Sequence, residues 1–353
     1  MKVLLLGPYP PPHGGVQTHL VALRDFLRQR GITCGVVNLT RFRQPDGDNV
    51  YYPRSAWELL RILLRLRYDI VHLHIGGNLS LRLLGLCMIC SLFPWAESVL
   101  TFHSGGYPTT PAGRKAGPWS LRGFVLQRMS HLIAVNQQLA ELFQRFGCDP
   151  KHVSLVSPHA TGSGVGGQDQ ADASLPPDLG AFYDSHNPVL VTVGLLEPEY
   201  DLELQIDCVE RLRSQFPDAG LVIIGSGSLE EPLRKRVAGS AAAPHILLRG
   251  DVPHPITLQA IARCDVFLRT TLYDGDSISV REALQLGTPV IATDNRMRPQ
   301  GVRLIPASDP QALRTMVTEV LTRPHTAPSL PPEAGTANLE AVLRIYEQLV
   351  QTK

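Results

Sequence analysis

The segment 269–284 carries three carboxylates around the predicted start of a helix, and two of them lie eight positions apart. Asp274 follows an apolar, strand-like run, and Glu282 comes eight positions later inside a predicted helix. Asp276 or Ser277 is a good N-cap for that helix, whose first backbone amides could hold a diphosphate. The carboxylates would then accept hydrogen bonds from hydroxyls of a sugar and a ribose. The alternative is that the aspartates are turn residues and Glu282 is a solvated helix charge.

Two glycine-rich turns are further candidates for binding an anion. Gly14 and Gly15 follow the first predicted strand and open a helix, where bare amides attract an anion and glycine lets it approach closely. Gln17 lies in the same helix and is a substrate-binding candidate. Gly225 and Gly227 form a second such turn. Neither turn has the dinucleotide-binding fingerprint, and a tight turn between a strand and a helix also explains each pair.

Three histidines lie in or beside predicted strands. His72 and His74 alternate along one strand, so they share a face and could form a metal pair. Because no third ligand is close in sequence, we favour a role in acceptor binding over a metal site. His103 follows the next predicted strand.

Apolar runs of strand length alternate with helix-period stretches along the chain. Such an alternation predicts parallel sheets covered by helices on both faces, with ligands bound at the carboxyl ends of the strands. The alternation stops once, in a stretch rich in Gly, Ser, Ala and Asp, which predicts two doubly wound α/β domains and a cleft between them. The predicted boundaries are 1–160 for the N-terminal domain, 161–187 for a linker or surface loop, 188–330 for the C-terminal domain, and 331–353 for a helix that could pack back on the first domain.

Length and composition exclude several classes of protein. The 353 residues exceed the roughly 250–300 that one hydrophobic core supports. A net charge of +1 gives no overall attraction to nucleic acid. The apolar runs 1–7 and 81–93 are too short for a secretory signal or a bilayer span. The six cysteines lie mostly in apolar context, which is typical of reduced core residues in a cytoplasmic protein.

The chain resembles the retaining family-4 glycosyltransferases over nearly its whole length. Five motifs carry the resemblance in the family's order and spacing: Gly14-Gly15, Thr101-Phe102-His103, Gly225-Ser226-Gly227, Asp274-x7-Glu282-Ala283 and Gly287-Thr288-Pro289-Val290-Ile291-Ala292. The resemblance implies the GT-B fold, two Rossmann-like domains facing a central cleft. It also implies transfer of a sugar from a nucleotide-diphosphate donor to a glycan, lipid or small-molecule acceptor, with retention of configuration and without a metal or other cofactor.

The resemblance further implies roles for individual residues. His103 would line the reaction centre, Asp274 would face the donor sugar, and Glu282 would bind the donor ribose. The other substrate-binding candidates are Gly14, Gly15, Gln17, Gly225, Gly227, Val252, Gly275, Asp276 and Ser277. Among these, the backbone of Gly15 and of 275–277 would touch the diphosphate, and Val252 would lie near the base.

Three departures from the family pattern affect the expected mechanism. Asp274 stands where the family has Glu, which shortens the side chain by about 1.5 Å. The family's Arg and Lys for the diphosphate are replaced by Leu195 and Tyr200, and its Pro-Asn-Gly corresponds to 158–160 with a different sequence.

A site without a metal still needs cations or aligned amides to stabilise a departing diphosphate. We therefore expect Arg269, Arg281 or both to replace the missing basic pair, as further substrate-binding residues. The alternative is that Arg269 pairs structurally with Asp274 or Asp276 and that Arg281 is a solvated helix charge.

Residues 57–67 predict an amphipathic helix with Arg61 and Arg65 one turn apart. A surface helix of the sheet explains this pattern, and the alternative is peripheral contact with anionic lipid through Trp57 and the arginines. The expected location is the cytoplasm, with the inner face of a membrane as the alternative.

Two other functions compete with a transferase. A catalytically silent GT-B protein that binds a nucleotide or glycan would explain the missing basic pair, and a nucleotide-sugar epimerase would share the architecture. The presence together of Glu282, His103 and Gly14-Gly15 favours the enzyme.

Overall fold

The computed structural model describes residues 1–10, 15–40, 49–156, 175–272, 274, 277–323 and 334–351. The chain forms two compact α/β units. Unit 1 comprises Met1–Gly162 and Glu333–Lys353, and unit 2 comprises Ser163–Pro332. The predicted two-domain α/β fold is therefore confirmed. No helix in these described ranges is both long and apolar enough to cross a membrane.

Unit 1 contains a parallel sheet of seven strands in the order β3-β2-β1-β4-β5-β6-β7. The strands are β1 Lys2–Gly7, β2 Thr33–Asn38, β3 Val50–Tyr51, β4 Ile70–Ile75, β5 Glu97–Phe102, β6 His131–Ala134 and β7 Val153–Leu155. The helices are α1 Gly15–Gln29, α2 Ala56–Arg65, α3 Leu81–Ser91, α4 Pro111–Arg114, α5 Leu121–Leu126 and α6 Gln137–Arg145, and the last helix of the chain belongs to this unit as well.

The two faces of the unit 1 sheet are covered by different helices. Because side chains alternate along a strand, Leu4 of β1 packs in one core with α2, α3, α5 and α6, while Leu5 packs in another core with α1 and the C-terminal helix. Both faces of the sheet are therefore buried, which explains why its strands are mostly apolar on both faces rather than apolar on one face and polar on the other.

Unit 2 contains a parallel sheet of six strands in the order β10-β9-β8-β11-β12-β13. The strands are β8 Val189–Val193, β9 Gly220–Ile224, β10 Ile246–Gly250, β11 Val266–Arg269, β12 Val290–Thr293 and β13 Arg303–Ile305. The helices are α7 Pro177–Ser185, α8 Leu202–Leu212, α9 Glu230–Ala238, α10 His254–Arg263, α11 Ile278–Gln285 and α12 Pro310–Thr322, and α13 Ala334–Gln351 closes the chain in unit 1.

The predicted linker of 161–187 is wrong in its C-terminal part, where α7 forms. Proline is tolerated in the first turn of a helix, so Pro177 does not prevent this one. Leu179 and Phe182, three residues apart, bury one face of α7 in a core of unit 2. The residues 157–160, where the family pattern departs, lie outside the described residues.

The C-terminal helix α13 packs on unit 1. Leu339, Val342 and Tyr346 are buried in the same core as Leu20 and Leu23 of α1. The last helix therefore covers the same face of the sheet as α1 does.

Candidate active site

In unit 2, two arginines converge on one carboxylate at the carboxyl end of β11. Arg269 Nε donates to Asp274 Oδ2 at 2.8 Å, and Arg298 Nη1 donates to the same oxygen at 3.0 Å. All three side chains are largely buried. Burial alone would raise the pKa of Asp274, but the two guanidinium groups hold it below its usual value. The carboxylate is therefore ionised at neutral pH.

Arg269 is held in place by Tyr200, the residue that stands where the family pattern has a basic side chain. Its guanidinium lies over the ring of Tyr200, 4.5 Å from the centroid, and its Nη1 donates to the carbonyl of Val193 at 2.9 Å. Burial would lower the pKa of Arg269, but Asp274 and Tyr200 raise it. Tyr200, which stands where the family pattern has a cation, is thus in direct contact with Arg269.

Arg298 was missed by the sequence analysis. It lies on the loop after β12 and also donates to Thr271 Oγ1 at 2.8 Å and to the carbonyl of Thr293 at 3.1 Å. A residue 24 positions from its carboxylate has no sequence signal for the pairing. The only available hint was that loops at the carboxyl ends of neighbouring strands meet at one edge of the sheet.

Glu282, the expected ribose ligand, is paired with His254 of α10. His254 Nε2 and Glu282 Oε1 are 2.7 Å apart, and the Glu282 side chain is only 7% exposed. Burial would lower the pKa of His254, but the hydrogen bond and the charge of Glu282 raise it above its usual value. The sequence placed Val252 near the base, and the structure buries Val252 two residues before this histidine.

The N-cap residue of α11 does not cap the helix with its side chain. Ser277 occupies the N-cap position but makes no capping hydrogen bond, and its hydroxyl is 3.2 Å from that of Ser279. Arg281 is half-buried on the same helix, one position before Glu282. Gly275 and Asp276, both expected near the diphosphate, lie outside the described residues.

The second glycine turn is required by the packing of two loops. A Cβ on Gly225, whose φ is +136°, would lie 1.8 Å from the carbonyl oxygen of Gly194. A Cβ on Gly227 would lie 2.5 Å from the carbonyl oxygen of Leu196. These close approaches explain both glycines structurally, which was the alternative left open by the sequence.

In unit 1, three histidines converge where β4 and β5 end. His74 Nδ1 and His103 Nε2 are 3.2 Å apart, and the ring of His19, from α1, lies 5.5 Å and 5.3 Å from the other two rings. Burial lowers the pKa of His74 and of His103 well below the usual histidine value. Both imidazoles are therefore neutral at pH 7.

His72 stands beside this cluster but serves the core. Its Nδ1 is hydrogen-bonded to the hydroxyl of Tyr346 on α13, and its Nε2 to Thr101 Oγ1 at 2.7 Å. His72 and His74 therefore have different roles. His72 connects the C-terminal helix to the sheet, whereas His74 belongs to the histidine cluster.

The unpartnered nitrogen of His74 indicates which way the proton points. Nε2 of His74 is buried and has no hydrogen-bond partner among the described residues. A buried lone pair costs less than a buried N–H without a partner, so the proton belongs on Nδ1. His74 then donates to Nε2 of His103, which leaves the proton of neutral His103 on its Nδ1.

The same cluster has the geometry of a metal site. One ligand atom from each of His19, His74 and His103 lies within 4.8 Å of the others. Neutral imidazoles are the form that binds zinc. The third ligand that the sequence did not provide thus comes from α1.

The first glycine turn lies at the start of this helix. Gly15 is the first residue of α1 and is exposed, and Gln17 is half-buried two positions before His19. Gly14 lies outside the described residues.

Two family models match the chain. A model described as glycosyltransferase family 4 matches residues 13–159, and a model described as glycosyl transferases group 1 matches residues 187–323. The chain belongs to the family-4 glycosyltransferases. The prediction of a nucleotide-sugar-dependent glycosyltransferase is confirmed.

Named relatives of this glycosyltransferase align along most of its length. It is 25% identical to a phosphatidyl-myo-inositol mannosyltransferase of Mycobacterium leprae, over 91% of this chain and 87% of that protein. It is 26% identical to a GDP-mannose-dependent alpha-(1-6)-phosphatidylinositol monomannoside mannosyltransferase of Mycolicibacterium smegmatis, over 93% of this chain and 91% of that protein.

The GT-B fold of this glycosyltransferase matches solved structures. Anabaena HepE in complex with UDP-glucose aligns with a TM-score of 0.71 at 16% identity, over 100% of this chain and 99% of that chain. At this identity the similarity concerns the fold alone.

Proposed function

We propose that this glycosyltransferase moves a hexose from a nucleoside-diphosphate donor to a lipid-linked acceptor, with retention of configuration. Relatives named for mannosyl transfer to phosphatidylinositol lipids support the acceptor class and make GDP-mannose the first donor to test. The observation that carries the proposal is the convergence of Arg269 and Arg298 at the carboxyl end of β11, just before α11.

The two guanidinium groups would stabilise the departing diphosphate. Negative charge grows on this group as the bond to the sugar breaks, and pre-positioned cations stabilise it without reorganising at the moment of reaction. Arginine stays charged when buried and can grip phosphate with two donors. Asp274, which holds both guanidinium groups, would act as a positioning residue rather than contact the sugar.

Glu282 would bind the donor ribose through its carboxylate. An ionised acceptor for a hydroxyl contributes about 1.5–3 kcal/mol when both groups are desolvated. His254 would hold the carboxylate in place, and its pairing makes this contact sensitive to pH.

His103 would contribute a hydrogen bond to the sugar from Nδ1. Because His74 donates to its Nε2, His103 offers a donor and not an acceptor on its other nitrogen. A neutral N–H donor suits a sugar oxygen. This hydrogen bond requires no metal at the histidine cluster.

The experiment is transfer of labelled sugar from a panel of nucleotide sugars, GDP-mannose first, to detergent-dispersed phosphatidylinositol and to soluble glycans, with EDTA present. We expect a lipid product whose new linkage has the donor's anomeric configuration by NMR. An inverted linkage, a glycan-only product or a loss of transfer with EDTA would contradict the corresponding part of the proposal. Thermal shift identifies the base, since a ligand at a hundred times its Kd stabilises by about 2.7 kcal/mol.

A further inference from the structure

The two units of the chain carry opposite charge. Unit 1 has 19 basic and 11 acidic side chains, a net charge of +8, whereas unit 2 has 14 basic and 21 acidic side chains, a net charge of −7. The overall charge of +1 conceals this difference. An excess of one sign on one domain favours binding to a surface of the other sign.

Half of the net positive charge of unit 1 lies between the end of β4 and the start of β6. Residues 76–129 contain five basic side chains and one acidic side chain, Glu97 at the start of β5. Four of the cations are exposed: Arg82, Arg114, Lys115 and Arg128.

Large apolar side chains are exposed in the same part of unit 1. Eight of the thirteen exposed large hydrophobic residues in the described ranges lie between positions 57 and 124. We call four of them the apolar edge: Trp57 (74% exposed), Leu81 (74%), Trp119 (96%) and Leu121 (56%). Scattered apolar residues need no explanation, but these have exposed cations close by in sequence: Arg82 follows Leu81, and Arg114 and Lys115 precede Trp119 by five and four positions.

The topology places the apolar edge beside the histidine cluster. Its residues lie at or just before the first residues of α2, α3 and α5, which cover the same face of the sheet. Helices between parallel strands run back along the sheet, so their first residues lie toward the carboxyl ends of the strands. His74 and His103 mark that same end of β4 and β5.

We propose that the apolar edge, with the exposed cations around it, docks unit 1 on an anionic membrane. Tryptophan and leucine would enter the headgroup region while lysine and arginine meet lipid phosphates. The inference uses the proposed lipid-linked acceptor to explain what docking achieves: the lipid surface meets the edge of the sheet at which His103 lies. The sequence suggested lipid contact at α2 alone. The proposed surface also includes the start of α3 and the turn before α5.

The first measurement is cosedimentation of the full chain with vesicles of phosphatidylcholine, with and without phosphatidylglycerol. We expect binding only to vesicles that contain the anionic lipid, and weaker binding at high salt because exposed charges are screened. Equal binding to both vesicles, or binding to neither, overturns the proposal.

The apolar contribution is tested with Trp119→Ser combined with Leu121→Ser. Removing two inserted side chains should weaken binding to anionic vesicles at least tenfold. The matched control combines Leu155→Ser in unit 1 with Leu304→Ser in unit 2, which are 55% and 46% exposed and lie outside the apolar edge. An equal loss in the control overturns the assignment to this edge.

The charge contribution is tested with Arg114→Glu combined with Lys115→Glu. Each cation near an anionic surface contributes about fivefold in affinity, so reversing two should weaken binding more than twentyfold. Lys235→Glu, an exposed cation of unit 2, is the control and should bind as the wild type does.

Two further results separate this inference from its rivals. If sedimentation equilibrium shows that the Trp119 and Leu121 variant turns a dimer into a monomer, the edge is a contact between copies and the proposal is overturned. Transfer to detergent-dispersed lipid without vesicle binding overturns docking alone. Vesicle binding without transfer overturns the proposed function and leaves docking standing.

Discussion

In unit 2 the candidate site is built from charged groups, whereas in unit 1 it is built from neutral ones. Arg269 and Arg298 keep Asp274 ionised, and Glu282 keeps His254 prone to protonation. In unit 1, burial keeps His74 and His103 uncharged. A diphosphate needs charge, while a sugar needs directed hydrogen bonds. Under the proposed function, the charged groups of unit 2 would bind the diphosphate of the donor, and the neutral histidines of unit 1 would form hydrogen bonds to a sugar.

The largest effect is expected at the carboxylate of unit 2. Asp274→Ala leaves two buried guanidinium groups without their shared partner, and breaking a buried pair costs about 3–5 kcal/mol. We expect a lower melting temperature for this variant than for Arg269→Met, in which Arg298 still holds the carboxylate. Equal melting temperatures for Asp274→Ala and the wild type would show that the arginines do not depend on Asp274.

The donor role of His103 is the next test. Removing one hydrogen bond that forms in the transition state lowers turnover by about a hundredfold to a thousandfold. We expect His103→Ala to lose turnover on this scale and to keep its affinity for the nucleoside diphosphate, measured by calorimetry. A loss of nucleotide affinity as large as the loss of turnover would remove His103 from the sugar.

His74 should act through His103, as a positioning residue. His74→Asn retains an N–H near the position of Nδ1, whereas His74→Leu removes it. We expect the leucine variant to lower kcat about tenfold with little change in the KM of the donor, and the asparagine variant to restore most of it. If both variants behave alike, the proton assignment at His74 is wrong.

The smallest effect concerns the pairing of His254 with Glu282. Because the folded pKa of His254 is raised, the charged pair stabilises the fold fully below the ordinary histidine pKa of about 6.5, and this contribution is lost as pH rises through the raised pKa. For a pair at this exposure we expect under about 1 kcal/mol. Melting temperatures across this pH range should converge for His254→Gln and the wild type as pH rises. Parallel curves would contradict the coupling.

The sequence predicted most of what depends on local pattern. The largely apolar runs 189–193 and 220–224 predict two strands, and β8 and β9 form over the same residues because buried parallel strands are rich in apolar side chains. The short edge strands β3 and β13 were missed, since two or three residues carry no period. Helix α7 was missed because it has only nine residues, begins with proline and follows a long irregular stretch.

The candidate site was predicted by motif and missed where it depends on contacts through space. Family motifs point to Glu282 and His103 as candidates but carry no signal for Arg298 and His254, since their partners lie 24 and 28 positions away in sequence. The alternative that Arg269 pairs with Asp274 is confirmed, whereas the expectation that Arg269 or Arg281 binds the diphosphate stays a prediction.

The contact between Tyr200 and Arg269 makes the side chain at each position depend on the other. A Cβ on Gly194 would lie 2.1 Å from the Tyr200 ring, so the loop has been shaped around that ring as well. Restoring a lysine at position 200 would set one cation against another, and removing Arg269 first would strip the ring of its partner and Asp274 of a counter-ion. Neither single step is neutral. A cation at position 200 is therefore compatible with this loop only when Arg269 is replaced as well, so the two positions limit each other's choice of side chain.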